Sequence, residues 1–166
     1  GDWVVETATA LARLESPTPD KTAVDRCGYE LGGRLEEIGA TVETLVREDT
    51  GNHVRASFGD GTAQLLLLGH FDTVWPVGQL DRMPVRQDGG RLHGPGVFDM
   101  KAGVALGMLA TRALWALGRV PRKRLVMLWT ADEERGSGSS RAIVEAEARR
   151  SDAVLVPMQG IARDPK

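Results

Sequence analysis

The segment QLLLLGHFDT, residues 64–73, decides the fold of this chain. Its four consecutive leucines follow the turn Gly59-Asp60-Gly61 and do not alternate with polar residues. Such an uninterrupted apolar run is typical of a strand that is covered on both faces, as in the middle of an α/β sheet. The segment therefore predicts a buried strand over residues 64–68, with His70 and Asp72 just beyond its end.

Helical and strand patterns extend outward from this strand in both directions. The predicted helices are Trp3–Leu14, Lys21–Ile38, Ala102–Leu117 and Ser139–Ala148, and the other strands are Thr41–Val46, His53–Phe58, Leu125–Trp129 and Ala153–Val156. The βαβαβ alternation predicts an α/β fold, a three-layer α-β-α arrangement with a largely parallel mixed sheet whose opening strands can pair antiparallel. Residues 69–99 are rich in Gly, Pro and Asp, which favours an irregular, functional segment.

The composition limits the size of the fold and the class of partner. At 166 residues with 42% apolar content, the chain is long enough for one core and too short for two ordinary domains. Its 21 Lys and Arg residues balance 23 Asp and Glu residues, so charge favours neither a nucleic acid nor an anionic membrane surface. We therefore expect a small-molecule partner, no nucleic-acid partner and no membrane partner.

The single cysteine and the start of the chain bear on the compartment. Cys27 has no partner for an internal disulfide and is predicted to be a small buried side chain. No window approaches the roughly 18 apolar residues of a membrane span, and Gly1-Asp2-Trp3 lacks the layout of a secretory signal. These features favour a cytoplasmic protein. Because the chain begins without methionine, a processed, periplasmic or secreted form stays open.

The first candidate site lies after the leucine strand. Ligands of open α/β sheets bind beyond the carboxyl ends of the strands, which is where His70 and Asp72 are expected. Alternate side chains of an extended segment share a face, so Asp72 can accept the second N–H of a metal-bound His70. The alternative is a histidine that is merely hydrogen-bonded at a strand end.

The second candidate is Asp99, just before the N-terminus of the helix that is predicted to begin at Ala102. It follows a glycine-rich approach, Gly94-Pro95-Gly96, which permits unusual backbone angles and close contacts. The alternative is that Asp99 is the N-cap of the helix, the commoner role of an aspartate at this position. A nucleotide-binding loop is excluded, because the third glycine and a directly preceding strand are both missing.

The third candidate is the acidic run Asp132-Glu133-Glu134, which follows the strand Leu125–Trp129. Three adjacent acids repel one another unless a cation or strong hydrogen-bond donors offset the repulsion. A solvated acidic turn is the alternative, although these acids end an apolar strand. One carboxylate can bind a metal while its neighbour takes a proton from water, which is a hydrolase arrangement.

Taken together, these segments resemble the two-zinc aminoacylase and carboxypeptidase family. The matching blocks are GHFDTV from residue 69, GPGVFDMKAG from residue 94 and TADEERGS from residue 130. The family includes glutamate carboxypeptidase, acetylornithine deacetylase and succinyl-diaminopimelate desuccinylase. The resemblance implies a zinc-exopeptidase-like fold, and the glutamate carboxypeptidase type is the most similar.

The resemblance also implies a role for each candidate residue. His70 would bind one zinc, Asp99 would bridge two zincs, and Glu134 would bind the other. Glu133 would be the general base, and Asp72 would support His70. Two Zn²⁺ ions are expected in a complete site, and Co²⁺ or Mn²⁺ can replace zinc in mixed His and carboxylate sites. The family commonly has a cis peptide at the position of Asp99-Met100.

Two departures from the family pattern stand out. Met158 occupies the position where the family has an acidic ligand, and a thioether is a poor donor to zinc. The family's last histidine ligand, its inserted dimerisation domain and the rest of its catalytic domain would follow Lys166. Residues 1–166 are therefore interpreted as the N-terminal part of a catalytic domain, and a homodimer is expected only of a longer form.

The predicted function is metal-dependent hydrolysis of an amide bond adjacent to a carboxylate. The resemblance implies a small peptide or an N-acyl amino acid as substrate and a metal-activated water as nucleophile. The alternative is a truncated, non-catalytic remnant that folds or binds metal without turnover. A metal-independent binding module would require the three blocks to occur in this order by coincidence.

Overall fold

The computed structural model describes residues 2–119 and 122–158. Its helices are α1 (Asp2–Arg13), α2 (Lys21–Glu37), α3 (Ala102–Ala116) and α4 (Arg141–Arg149). Its strands are β1 (Thr41–Leu45), β2 (His53–Phe58), β3 (Gln64–His70), β4 (Arg86–Asp88), β5 (Arg91–His93), β6 (Arg124–Thr130) and β7 (Ala153–Leu155). Every predicted helix and strand is present, with ends that differ by at most two residues.

Five strands form one mixed sheet in the order β1-β2-β6-β3-β7. The pairs β1–β2 and β2–β6 are antiparallel, whereas β3–β6 and β3–β7 are parallel. The α/β class and the antiparallel opening strands are thus confirmed. The parallel share is smaller than the sequence suggested, because the two opening strands make up two of the four pairings.

Helices cover both faces of the sheet and produce three layers. The larger core contains Leu11 of α1, Leu31 of α2 and Met108 of α3 against the sheet residue Trp129, all of them fully buried. A smaller core joins Leu66 of β3 to α4. Burying an aliphatic or aromatic side chain of this size contributes about 1.5–3 kcal/mol, so these contacts fix the helices against the sheet. Cys27 is buried in the larger core as predicted.

Two details differ from the sequence expectation. Strand β3 continues to His70, because its pairing with β6 extends to His70 opposite Thr130. The segment expected to be irregular contains the hairpin β4–β5. Its two turn residues, Gly89 and Gly90, have φ values of 55° and 75°, the conformation that favours glycine in tight hairpin turns.

Within the described ranges, no helix combines the length and apolar character needed to cross a membrane.

Candidate metal centre

The site lies at the carboxyl edge of the two parallel strands β3 and β6. Their register places His70, the last residue of β3, opposite Thr130, the last residue of β6. The loops that leave the two strands therefore start side by side, as expected for parallel neighbours in an α/β sheet. This brings His70 close to Glu133 and Glu134, which are about sixty residues away in sequence.

Three of the predicted metal ligands form a compact cluster. One potential ligand atom each of His70, Asp99 and Glu134 lies within 4.8 Å of the others. The shortest separation, from His70 Nε2 to Asp99 Oδ1, is 3.2 Å. His70 is 4% exposed, while Asp99 and Glu134 are partly open to solvent. One imidazole and two carboxylates are a donor set that suits Zn²⁺ and related divalent cations.

Asp99 reaches the cluster because the backbone before α3 is not helical there. Asp99 has φ −125° and ψ 97°, and the peptide bond to Met100 is cis. Helix α3 begins at Ala102 without a side-chain cap, so the N-cap interpretation of Asp99 is wrong. Gly96 allows the backbone before Asp99 to pass close to Thr73. A Cβ added at residue 96 would lie only 2.5 Å from a methyl carbon of Thr73.

Asp72 connects the histidine to the acidic loop. Its side chain is fully buried, and Oδ1 lies 3.3 Å from His70 Nδ1. The backbone N–H groups of Glu133 and Glu134 donate to Oδ1 and Oδ2 at 3.3 and 3.2 Å. A buried carboxylate needs several such donors to offset its desolvation. Asp72 therefore fixes the ring of His70 and the start of the acidic loop relative to each other.

The loop between α1 and α2 supports this arrangement, and sequence reasoning did not assign it a role in the site. Thr18 Oγ1 donates to Asp72 Oδ2 at 2.7 Å, and Ser16 Oγ donates to the carbonyl of Phe71 at 2.7 Å. The Glu15 carboxylate accepts the N–H groups of Gly78 and Leu80. Each contact spans more than fifty residues, so no local pattern indicates it.

The electrostatics of the cluster are those of a site that attracts cations. Burial lowers the pKa of His70, but the hydrogen bond to Asp72 and the charges of Asp72, Glu133 and Asp99 outweigh it and raise the pKa to about 9. Burial raises the pKa of Glu134, and the neighbouring carboxylates of Asp99, Asp72 and Glu133 raise it further. A cation would relieve the repulsion between these carboxylates.

The three acids of the run Asp132-Glu133-Glu134 have different environments. Asp132 is 3% exposed and points away from the cluster, where its Oδ2 accepts the N–H groups of Ser139 and Ser140. Glu133 is about half exposed, with Oε2 3.8 Å from His70 Nε2. The solvated-turn interpretation is therefore wrong for Asp132, whereas Glu133 is exposed to solvent beside the cluster.

Met158 lies beside the cluster, at the exit from β7. With His70, Asp99 and Glu133 it lines a cavity of about 540 Å³, and it is 65% exposed. Its neighbour Gln159 falls outside the described residues. The position expected for an acidic ligand is thus near the predicted metal ligands, but its side chain is a thioether.

Comparison with known proteins places these features in a family. Residues 66–163 match the profile of peptidase family M20/M25/M40. Carboxypeptidase G2 of Pseudomonas sp. (strain RS-16) is 34% identical over 157 residues, which are 92% of this chain and 37% of that protein. Succinyl-diaminopimelate desuccinylase of Shewanella piezotolerans is 34% identical over 149 residues, 84% of this chain and 38% of that protein.

Solved structures share the fold at lower sequence identity. An M20 family metallo-carboxypeptidase from Sulfolobus solfataricus superimposes with a TM-score of 0.80 at 17% identity, over 97% of this chain and 38% of that one. Human carnosine dipeptidase 1 gives a TM-score of 0.78 at 20% identity, over 93% of this chain and 38% of that one. The chain therefore spans less than two fifths of the length of each of these four proteins.

Proposed function

The chain belongs to peptidase family M20/M25/M40, and we propose that it carries one part of a metal-dependent site that hydrolyses an amide bond adjacent to a carboxylate. The observation that carries this proposal is the cluster of His70, Asp99 and Glu134 at the carboxyl edge of the sheet. In this proposal residues 1–166 are the N-terminal part of the catalytic domain, and the remaining ligands and any dimerisation domain belong to a longer form.

The residues present fit a divalent cation. Three donors converge; nearby carboxylates raise the pKa of His70, and burial together with nearby carboxylates raises the pKa of Glu134. Three protein ligands are the usual complement of a catalytic zinc. Zn²⁺ is proposed first, with Co²⁺ and Mn²⁺ as alternatives, because His and carboxylate donors accept all three. A second ion would need further donors besides these three.

Each side chain of the proposed site has a separate task. A bound divalent cation supplies Lewis acidity, which polarises the substrate carbonyl and makes water more acidic. Glu133 takes a proton from the attacking water while the oxygen of that water forms a bond to the amide carbon. The same proton then passes to the amine nitrogen as the carbon–nitrogen bond breaks. The backbone carbonyl of Asp72, 3.1 Å from His70 Nδ1, and its carboxylate Oδ1, 3.3 Å away, keep the proton of neutral His70 on Nδ1, which leaves Nε2 free to bind the cation.

The substrate class follows from the relatives. One is named as a carboxypeptidase and another as a desuccinylase of succinyl-diaminopimelate, so both names describe removal of a group at an amide near a carboxylate. We propose small peptides or N-acyl amino acids as substrates. A metal-binding form without turnover is the second candidate, and the exposed Met158 beside the cluster favours it.

Replacing Glu133 by Gln tests the mechanism. The amide keeps the size of the side chain but cannot accept a proton, so hydrolysis of N-acyl-glutamate and glutamyl peptides should fall by at least about 100-fold. Bound metal, measured by titration with Co²⁺, should stay nearly unchanged. Glu134→Gln is the matched control, because it should weaken metal binding itself.

Two results would count against the proposal. Equal turnover by the Glu133→Gln variant would remove Glu133 from the mechanism. A longer form of the protein that binds Co²⁺ but hydrolyses none of these substrates would favour the second candidate.

A further inference from the structure

A buried histidine outside the proposed ligand set holds both ends of the acidic loop. This loop, Ala131–Ser139, carries Glu133 and Glu134. The ring of His53 is fully buried, and its Nδ1 accepts the N–H of Ala131 at 3.1 Å. Its Nε2 lies 3.1 Å from Ser139 Oγ. One imidazole ring therefore bridges the first and last residues of the loop.

These contacts determine the protonation state of His53. Nδ1 accepts a backbone N–H, so it carries no proton, and the ring proton of neutral His53 must be on Nε2. Nε2 then donates to Ser139 Oγ, and the Ser139 hydroxyl donates to Asp132 Oδ2 at 2.8 Å. A second ring proton would place an N–H against the N–H of Ala131 and break that link.

The backbone hydrogen bonds between β2 and β6 stop before Ala131, so a side chain has to accept its N–H. The pairing of β2 with β6 ends at Val54 opposite Trp129, two residues before Ala131. The N–H of Ala131 therefore lies past the last backbone pair, and His53 supplies the acceptor that β2 no longer provides. A buried N–H left without an acceptor costs about 1–3 kcal/mol, so this contact matters to the loop.

We propose that His53 is a positioning residue whose neutral ring holds Glu133 and Glu134 beside His70 and Asp99, and whose protonation releases the acidic loop. The importance of the loop rests on the proposed function. The hydrogen-bond pattern of His53 does not, since it joins His53, Ala131, Ser139 and Asp132, with Thr50 Oγ1 3.0 Å from Ser139 Oγ, and includes none of the proposed metal ligands.

The charged groups around His53 are consistent with a ring that stays neutral at ordinary pH. Burial lowers the pKa of His53 below 6.5. Among the charged neighbours, Asp132 and Asp72 raise this pKa, and Arg47 lowers it. Because the pKa is lower in the folded chain than in the unfolded chain, the unfolded chain binds more protons as pH falls below 6.5. The contribution of His53 to stability is complete above that pH and declines as the pH falls.

The test compares two His53 variants with a matched control in the metal-free chain. His53→Asn keeps an acceptor oxygen near the position of Nδ1 but cannot reach Ser139, and His53→Leu removes both contacts. Val54→Ala is the control. Val54 follows His53 in β2 and is 2% exposed, but its side chain forms no hydrogen bond with the loop. Amide hydrogen exchange, expressed as protection relative to an unstructured chain, is followed residue by residue.

The expected pattern is specific to the loop. His53→Leu should lower the protection of Ala131 and Ser139 by about tenfold beyond the change caused by Val54→Ala. His53→Asn should restore protection at Ala131 but leave the protection of the Ser139 amide lowered, because that variant does not reach Ser139 Oγ. In the parent chain the protection of both amides should be constant above about pH 6.5 and fall as the pH decreases below it, and this fall should be absent in both variants.

A spectroscopic measurement on the parent chain needs no variant. The ¹⁵N shifts of the His53 ring should show an unprotonated Nδ1 and a protonated Nε2 at neutral pH. The opposite tautomer, or a ring that is charged at neutral pH, would overturn the proposal, as would equal loop protection in the His53→Leu and Val54→Ala variants.

Titration with Co²⁺ separates this inference from the proposed function. His53→Leu should weaken Co²⁺ binding by about tenfold relative to Val54→Ala, because loosening the loop removes the preorganisation of Glu134. A parent chain that binds no Co²⁺ would contradict the metal site, while the exchange and ¹⁵N data would still decide the role of His53. Unaltered Co²⁺ affinity in a His53→Leu chain with a loosened loop would show that His53 does not position Glu134.

Discussion

At the scale of single residues, Asp72 is the hub of the candidate centre. Its Oδ1 lies 3.3 Å from His70 Nδ1 and accepts the N–H of Glu133. Its Oδ2 accepts hydrogen bonds from the hydroxyl of Thr18 and the N–H of Glu134. The pairing of His70 with Asp72 was predictable, because two residues in one extended segment share a face. The contact with Thr18 was not predictable, because it joins segments 54 residues apart.

Replacing Asp72 by Asn should change the response of the metal-free chain to pH. Asp72 provides the largest contributions that raise the pKa of His70 to about 9, so this pKa should fall in the variant. A raised pKa in the folded chain adds stability that is complete below 6.5 and is lost as the pH rises through about 9. The parent chain should therefore lose stability across this interval, and the variant should lose much less.

Urea unfolding at several pH values, together with an NMR titration of His70, measures this change. Asp88→Asn is a suitable control, since Asp88 lies exposed on the β4–β5 hairpin. A His70 pKa that is the same with and without the Asp72 carboxylate would contradict the hydrogen-bond assignment.

At the scale of elements, helix α1 is tied to the segment that carries Asp99. The ammonium group of Lys101 donates to the carbonyls of Leu11 and Leu14 at 3.0 and 2.8 Å, and Lys101 is 1% exposed. Carbonyls at the end of a helix have no partner within the helix, so a cation there satisfies them. The sequence predicted the helix but not this role, because a lysine is rarely fully buried.

Replacing Lys101 by Met should destabilise the chain and loosen the site. The partly buried carbonyl of Leu14 would lose its donor, at a cost of about 1–3 kcal/mol for an unsatisfied group, and the carbonyl of Leu11 would keep only the N–H of Leu14. Because Asp99 lies two residues before Lys101, Co²⁺ affinity should fall as well. Lys123→Met is the matched control, since Lys123 is partly exposed and forms a surface ion pair with Asp152 that should contribute less than about 1 kcal/mol.

Urea unfolding and Co²⁺ titration of both variants provide the comparison. If both lysine variants are equally stable, the buried contacts of Lys101 contribute no more than a surface pair. If Lys101→Met loses stability but keeps its Co²⁺ affinity, α1 supports the fold without positioning Asp99.

At the scale of the whole molecule, one edge of the sheet collects residues from four distant segments. His70, Asp99 and Glu133 come from the three blocks that the sequence indicated, and Met158 follows β7. The convergence of His70, Glu133 and Met158 was predictable because parallel strands end at the same edge, whereas Asp99 follows no strand of this sheet and its place was implied only by the family resemblance. The supports of the site, His53 and the Glu15–Thr18 loop, could not be predicted, because their contacts depend on how the opening segments pack across the sheet.

Replacing Met158, which lies at this charged edge of the sheet, should change both the stability of the chain and its metal binding. Met158 shares a cavity with five ionisable side chains, those of His70, Asp99, Glu133, Arg141 and Glu145. Met158→Glu would add a carboxylate beside carboxylates that already repel one another, so the metal-free chain should melt at a lower temperature than the parent. The same carboxylate is an additional oxygen donor, so saturating Co²⁺ should raise the melting temperature more in this variant and bring bound Co²⁺ closer to two ions per chain.

Met158→Gln separates charge from size in this experiment. The amide has the same length as the glutamate, but it adds no repulsion and is a weaker donor to a divalent cation. A difference of 1 kcal/mol shifts the melting temperature of a chain of this size by roughly 2–4 °C, so opposite shifts in the metal-free and Co²⁺-loaded states are measurable. Only a side chain that reaches the cluster lowers stability without the cation and raises it with the cation. The same Co²⁺-induced rise in the Glu and Gln variants would therefore show that residue 158 lies outside the metal centre, and that a donor from another segment completes it.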